Sequence, residues 1–174
     1  MADAPQFLTL KRNRDLHGLE QRPWTRRVLL ALLGAVVAAG ALNLFGQRPT
    51  TDVADAAAAR FEVYSPPRVR AGLYFMSRFT IDAKVDLREA TLVLEPGWLE
   101  GITLNTVEPA PVGEASRDGD VALELGHIPA DGRYVLFLHF QVNPTEVGRR
   151  SQDALLYDGE RLVARVDRTI TIWP

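Results

Sequence analysis

An uncharged, apolar run of 18 residues from Val28 to Phe45 constrains this chain of 174 residues more than any other feature. As a helix rising 1.5 Å per residue it would span about 27 Å, close to the hydrocarbon thickness of a bilayer. The run is entered through Arg22-Pro23-Trp24-Thr25-Arg26-Arg27, and its only strongly polar member is Asn43 near the far end. It divides the chain into a basic tail (1–27), a membrane helix (28–45), a tether (46–60) and a segment rich in strand patterns (61–174).

The flanks predict an orientation. The tail carries Lys11, Arg12, Arg14, Arg22, Arg26 and Arg27 against Asp3, Asp15 and Glu20, whereas only Arg48 and Arg60 follow the run before the first strand pattern. Positive charge holds its end of a membrane helix in the cytoplasm, so the N-terminus is expected inside and residues 46–174 outside the plasma membrane. Arg22, Trp24, Arg26 and Arg27 are the residues that set this topology, with the Trp24 ring suited to the headgroup layer. A second reading fits the same residues. Thr25-Arg26-Arg27-Val28-Leu29-Leu30 resembles a twin-arginine export signal, with a small-residue cleavage site at Ala39-Gly40-Ala41. Both readings place the later segment beyond the membrane.

Residues 61–174 are enough for one hydrophobic core and too few for two. Cysteine is absent, which excludes disulfides, thiolate metal sites, thiol nucleophiles and lipid-bearing cysteines. The formal charge is −2, and because the tail holds six basic and three acidic residues, the remainder carries −5. So negative an outer segment does not suit nucleic acid, whose phosphates need clustered basic residues. Arginine far outnumbers lysine, which occurs only at Lys11 and Lys84, and alanine is abundant; this codon preference points to a GC-rich bacterial source.

From Phe61 the hydrophobic period becomes two. Phe61, Val63 and Ser65 alternate with Glu62 and Tyr64 until Pro66-Pro67 breaks the pattern. Leu73, Phe75, Phe79, Ile81, Ala83 and Val85 then share one face of a long strand, a sorting that a helix would scatter. Further strands are expected at 87–94, 102–107, 121–125 and 134–142, the last apolar on both faces and therefore central. A hairpin of 152–157 with 160–173 turns at Asp158-Gly159, where both positions tolerate positive φ. Trp173-Pro174 follows the last strand directly and is expected to be packed. Within the tether, Ala56 to Ala59 favour a short helix capped by Thr51 or Asp52, or else a flexible spacer. Some eight short strands without a long competing helix predict an all-β, antiparallel immunoglobulin-like β-sandwich behind a single N-terminal transmembrane helix.

Three segments resemble the immunoglobulin-like modules of bacterial and archaeal cell-surface proteins. Pro66-Pro67-Arg68-Val69-Arg70-Ala71-Gly72 is similar to their opening, Glu95-Pro96-Gly97-Trp98-Leu99 to their proline-glycine strand break, and Ile128-Pro129-Ala130-Asp131-Gly132 to the turn before their late central strand. Lys84-Val85-Asp86-Leu87 stands where those modules carry an Asn-Thr-Gly segment. The resemblance spans residues 61–174 and implies architecture and a binding, spacing or scaffolding role, with no active site.

Chemistry-bearing groups are sparse. His139 lies on the predicted central strand without acidic or histidine partners at ligand spacing, and reads as a hydrogen-bonded sheet histidine. Arg117-Asp118-Gly119-Asp120 is short of the oxygens a calcium loop needs and reads as a tight turn. No serine sits in a nucleophile elbow and no glycine-rich phosphate loop is present, so no enzyme activity and no cofactor are expected. Trp98 and Leu99, in a predicted loop, are either an exposed partner contact or a cap folded into the core. In the apolar run, Ala31, Gly34, Ala35, Ala38 and Ala39 form a small-residue stripe that lets another helix approach, and Asn43 can hydrogen-bond across such a contact.

Two functions follow. One is a non-enzymatic accessory or scaffold subunit of the cell envelope: its helix crosses the lipid bilayer, packs in an integral membrane protein complex or self-associates, and its outer domain docks on a larger partner. The other is an exported binding domain, released near Ala41, for a small molecule or envelope component.

Overall fold

The left-handed turn at Asn43 (φ 54°) decides where the N-terminal helix stops. In the computed structural model, which describes residues 23–44 and 46–174, helix α1 runs from Pro23 to Ala41. Pro23 suits the first position, because its fixed φ is helical and its missing N–H would have had no partner there. At the other end the Asn43 N–H donates to the Gly40 carbonyl (2.9 Å) and the Leu44 N–H to the Ala39 carbonyl (3.0 Å). This paired closure is a Schellman cap. The expected span of 28–45 is therefore displaced. Arg26 and Arg27 lie inside the helix, while the last apolar residues form its cap. Arg22 and the tail before it, like Phe45, lie outside the described residues.

The chain divides after Leu44, and the second unit is the β-sandwich. Its strands are β1 (Thr50–Asp55), β2 (Ala59–Ser65), β3 (Arg68–Arg70), β4 (Tyr74–Ala83), β5 (Leu87–Leu94), β6 (Ile102–Glu108) and β7 (Gly113–Arg117). They continue with β8 (Asp120–Ile128), β9 (Arg133–Val142), β10 (Gly148–Ser151), β11 (Ala154–Asp158), β12 (Arg161–Val166) and β13 (Thr169–Trp173). One sheet has the order β1-β2-β4-β9-β6, the opposing sheet β12-β11-β5-β8-β7, and a small third sheet β10-β13-β3.

Alternation selects the inner faces. Phe61 and Val63 of β2, Phe75, Phe79 and Ile81 of β4, and Leu136, Leu138 and Phe140 of β9 meet Leu92 and Leu94 of β5, Leu123 and Leu125 of β8 and Leu156 of β11 in one buried cluster. As expected, β9 is central, paired to β4 on one side and β6 on the other. Pairing is antiparallel except between β13 and β3. Strand β3 has left the main sheet after Pro66-Pro67 and is cut short by the turn through Gly72 (φ 78°). The expected strand from 160 to 173 is likewise two strands, since the chain changes sheet at Asp167-Arg168.

The segment read as tether is largely strand. Residues 50–55 pair in full register with β2, from Thr50 opposite Ser65 to Asp55 opposite Arg60. The alanines expected to be helical form the connecting turn, with the Ala56 N–H donating to the Ala59 carbonyl (3.0 Å). Ladder hydrogen bonds and shared burial along β2 outweigh the weak helical preference of four alanines. Strand β1 also brings the Asp52 carboxylate to 3.5 Å from the Arg168 Nε. The Arg168 side chain is only 2% exposed. Its Nη2 donates to the Ser65 carbonyl (3.2 Å), its guanidinium lies 5.3 Å from the Trp98 ring centre, and its Nε and Nη1 have no hydrogen-bond partner among the described residues. Burial lowers the Arg168 pKa, and Asp52 opposes that effect.

A sandwich produced as residues 46–174 is therefore expected to be more stable than one beginning at Phe61, which loses β1 and leaves Arg168 without its carboxylate. In the longer form, Asp52→Ala is expected to cost about 1–3 kcal/mol in denaturant unfolding, the usual penalty for orphaning a buried polar partner. Equal stability of the two forms would show that β1 is an ornament of the edge.

Candidate functional site

On α1, Ala31, Gly34, Ala35 and Ala38 share one face at spacings of three and four, with Ala39 at its margin. Leu29, Leu33 and Val36 crown the opposite face. From Trp24 to Ala41 every residue is exposed except the half-buried Ala39, and a Cβ added at Gly34 would meet nothing within 4 Å. The small-residue face is thus sterically open. Asn43 does not belong to it. It lies past the last helical residue, where its tolerance of positive φ closes the cap through its backbone.

The position of Trp98 is also decided. Pro96–Trp98 form a 3-10 turn that tucks the indole into the core, fully buried. Its ring centre stands 5.3 Å from that of Phe79 and 5.5 Å from that of Phe140, and its Nε1–H donates to the Asp153 carbonyl (3.0 Å). Gly97 makes this possible: a Cβ there would lie 1.7 Å from the Ser151 carbonyl oxygen. Of the two roles weighed for Trp98, capping the core is the one the structure adopts, because an indole can be satisfied at both its apolar body and its N–H inside the sandwich. Leu99 follows at intermediate exposure, packed against the same core.

Beside the plug lies an ionic network. The Asp153 carboxylate accepts from the Arg168 backbone N–H (2.9 Å) and the Ser151 hydroxyl (3.0 Å), and from Arg165 at short range. Burial opposes its ionisation, yet these donors prevail and hold its pKa below the ordinary value. Glu95, 3.0 Å from Arg165 Nη2, is shifted the other way: burial first, then the charge of Asp153, raise it. The hydrogen bonds it donates to Asp167 and Asp153 keep Arg165 more firmly protonated than usual. These groups fasten the Trp98 turn to β11, β12 and the start of β13.

The remaining polar residues do not converge. His127 Nε2 lies 2.7 Å from Asp86 Oδ1 on the surface, and half-buried His139 faces a shallow recess with Tyr74, Asn105, Thr106 and Glu108. Asp118 (φ 55°) and Gly119 (φ 95°) form the β7–β8 turn as expected. Among the described residues no group of three His, Cys, Asp or Glu is placed to hold a metal ion. An open groove of about 650 Å³ on the outer face of the β5-β8-β7 sheet mixes Arg88 and Arg117 with Glu89, Glu124 and Glu160. Opposite charges line it together, so it favours no ligand of one sign. Sequence reasoning missed a further surface. The backbone at Trp173 is packed as expected, its carbonyl accepting the Ala71 N–H (2.7 Å), but its ring is exposed.

No protein-family model matches this chain, and no curated protein matches it in sequence. Among solved structures it is similar to the CARDB domain of a Pyrococcus furiosus protein, at 9% identity and TM-score 0.43, over 73% of this chain and 97% of that one. It is also similar to a Niemann-Pick type C2 protein from the Japanese carpenter ant, at 8% identity and TM-score 0.41, over 71% of this chain and 98% of that one. The fold assignment rests on the chain's own sheet order. The expected kinship with cell-surface immunoglobulin-like modules is met at the level of β-sandwich architecture alone.

The network predicts opposing pH slopes. Glu95 has a raised pKa, so as pH falls from neutral through that value the folded state takes up a proton first and stability rises slightly. Asp153 has a lowered pKa, so its contribution is complete above about 3.9, the unfolded value, and is lost as pH falls further through its folded value. In urea unfolding across this range, Glu95→Gln is expected to flatten the first limb. Asp153→Asn is expected to remove the second and to lower stability at neutral pH.

Proposed function

We propose that this chain is a non-enzymatic, single-pass membrane protein whose β-sandwich stands outside the cytoplasmic membrane and serves as an accessory or scaffold module of a larger envelope assembly. The observation that carries the reading is the exposure of α1: its leucines and valines lie open along a helix of 19 residues, and such a surface is stable in hydrocarbon rather than water. Trp24 near the start suits the headgroup layer, and Arg26 and Arg27 can extend their guanidinium groups to it from within the first helical turns. The basic flank keeps the N-terminus cytoplasmic. The open face of Ala31, Gly34, Ala35 and Ala38 supports close packing against another membrane helix, in a partner or a second copy. Residues 42–49 between α1 and β1 extend at most about 28 Å, so the sandwich remains near the bilayer and any partner met by the helix is within its reach.

One observation favours the exported-domain reading. Residues 28–41, the uncharged part of α1, make only about 21 Å of helix, within the length of a signal-peptide apolar region. The two readings differ in the mature protein. An anchored chain keeps residues 1–44 and resists alkaline extraction from membranes; an exported one begins near Leu42 and is released. With the anchor retained, replacing Ala35 and Ala39 together by Leu is expected to leave insertion intact and to lower recovery of the helix-mediated complex in mild detergent roughly tenfold, as loss of about 1–2 kcal/mol of close packing implies. Unchanged recovery would remove the stripe from the proposal.

A further inference from the structure

The small sheet β10-β13-β3 contains arginines and no acidic residue, in a unit that is otherwise negative. Register places Thr171 between Arg68 on β3 and Arg149 on β10, and Trp173 beside Arg70. Arg68, Arg70 and Arg149 are exposed, and among the described residues none of them is paired with an Asp or Glu side chain; Arg70 donates to the Pro174 backbone oxygen (3.3 Å) and Arg149 to the Thr169 hydroxyl (3.3 Å). Arg150, by contrast, is half-buried and neutralised by Glu146 (2.5 Å) and Glu100 (3.5 Å). The three exposed arginines thus share one face.

Apolar residues rim that face. Trp173 is 41% exposed, Leu73 47%, Val147 53% and Tyr74 65%, at the end of the sandwich where β4 starts and β9 ends. The chain arriving from α1 enters the domain at the same end, since the Gln47 side-chain amide donates to the Tyr74 carbonyl (3.2 Å).

We propose that this face rests on anionic phospholipid headgroups of the bilayer that α1 crosses. Arg68, Arg70 and Arg149 bind lipid phosphates, Trp173 and Tyr74 sit at headgroup depth, and Leu73 and Val147 reach toward the acyl boundary. This rests on the anchored reading above. Lipid fits better than a soluble anion because charge and exposed apolar surface occur together, at the end where the chain enters the domain.

The absence of cysteine allows a single nitroxide label at Thr171→Cys in the full-length chain, with Ala130→Cys in the turn at the opposite end of the sandwich as control. Flotation of the chain with vesicles after an alkaline wash reads anchoring independently. In vesicles containing phosphatidylglycerol, the Thr171→Cys label is expected to lose access to a water-soluble relaxant severalfold relative to phosphatidylcholine vesicles, while the Ala130→Cys label is unaffected. Replacing Arg68, Arg70 and Arg149 by Gln should restore access, each arginine contributing roughly fivefold to the docked population at low salt. These are surface positions, and an unchanged thermal transition would confirm that the variant is folded. Flotation without lipid-dependent shielding overturns the proposal and leaves the anchor standing. Failure to float overturns the anchored reading and the proposal with it. Shielding that is equal in neutral vesicles and accompanied by dipolar broadening between labels would place a second copy on this face, and also overturns it.

Discussion

The close approach of Gly97 to the Ser151 carbonyl is the constraint on which the arrangement of this domain depends. It lets a short turn carry an indole into the space between two sheets, where Trp98 meets Phe79 and Phe140 and anchors to the Asp153 carbonyl. With no disulfide available, burial must supply the stability of the sandwich, and the largest fully buried side chain is that of Trp98. Arg168 and Asp153 then fix the surroundings of the plug. One guanidinium lies near the indole, while Asp153 holds the Trp98 turn through its backbone carbonyl and reaches β12 and the start of β13 through its carboxylate.

That arrangement ties the first strand of the domain to its core. Asp52 is the carboxylate that approaches the Arg168 guanidinium, and it resides on the edge strand β1, which follows α1 closely in the chain. Buried charge is costly when its partner leaves. The same chemistry that stabilises the core therefore holds the first strand of the domain in register with β2.

Much of the architecture was legible along the chain. The alternations at 61–65, 73–85 and 134–142 correspond to β2, β4 and β9, because a strand half-buried between solvent and core imposes period two on its own residues. The Asp158-Gly159 and Asp118-Gly119 turns were equally plain, since positive φ restricts the residues allowed there. Strands β1, β3, β7 and β10 were not legible. They are short, polar or alanine-rich, and their hydrogen bonds go to partners chosen elsewhere in the fold. The capping conformation of Asn43 was not legible for a related reason: it depends on where the helix stops.

The sequence by itself determined the apolar N-terminal helix, the change to strand periodicity, the reliance on burial without cysteine and the inward faces of the long strands. Each of these depends on residues within one segment, so periodicity and composition report them. Only the tertiary structure decided that Trp98 lies inside, that β1 belongs to the sandwich, and that β3 and β13 run parallel. It alone gathers Arg68, Arg70, Arg149 and Trp173 from three distant segments onto one face. Such features arise from pairing across long loops, where the partner strand and the space left between sheets set the outcome, and no local pattern carries that information.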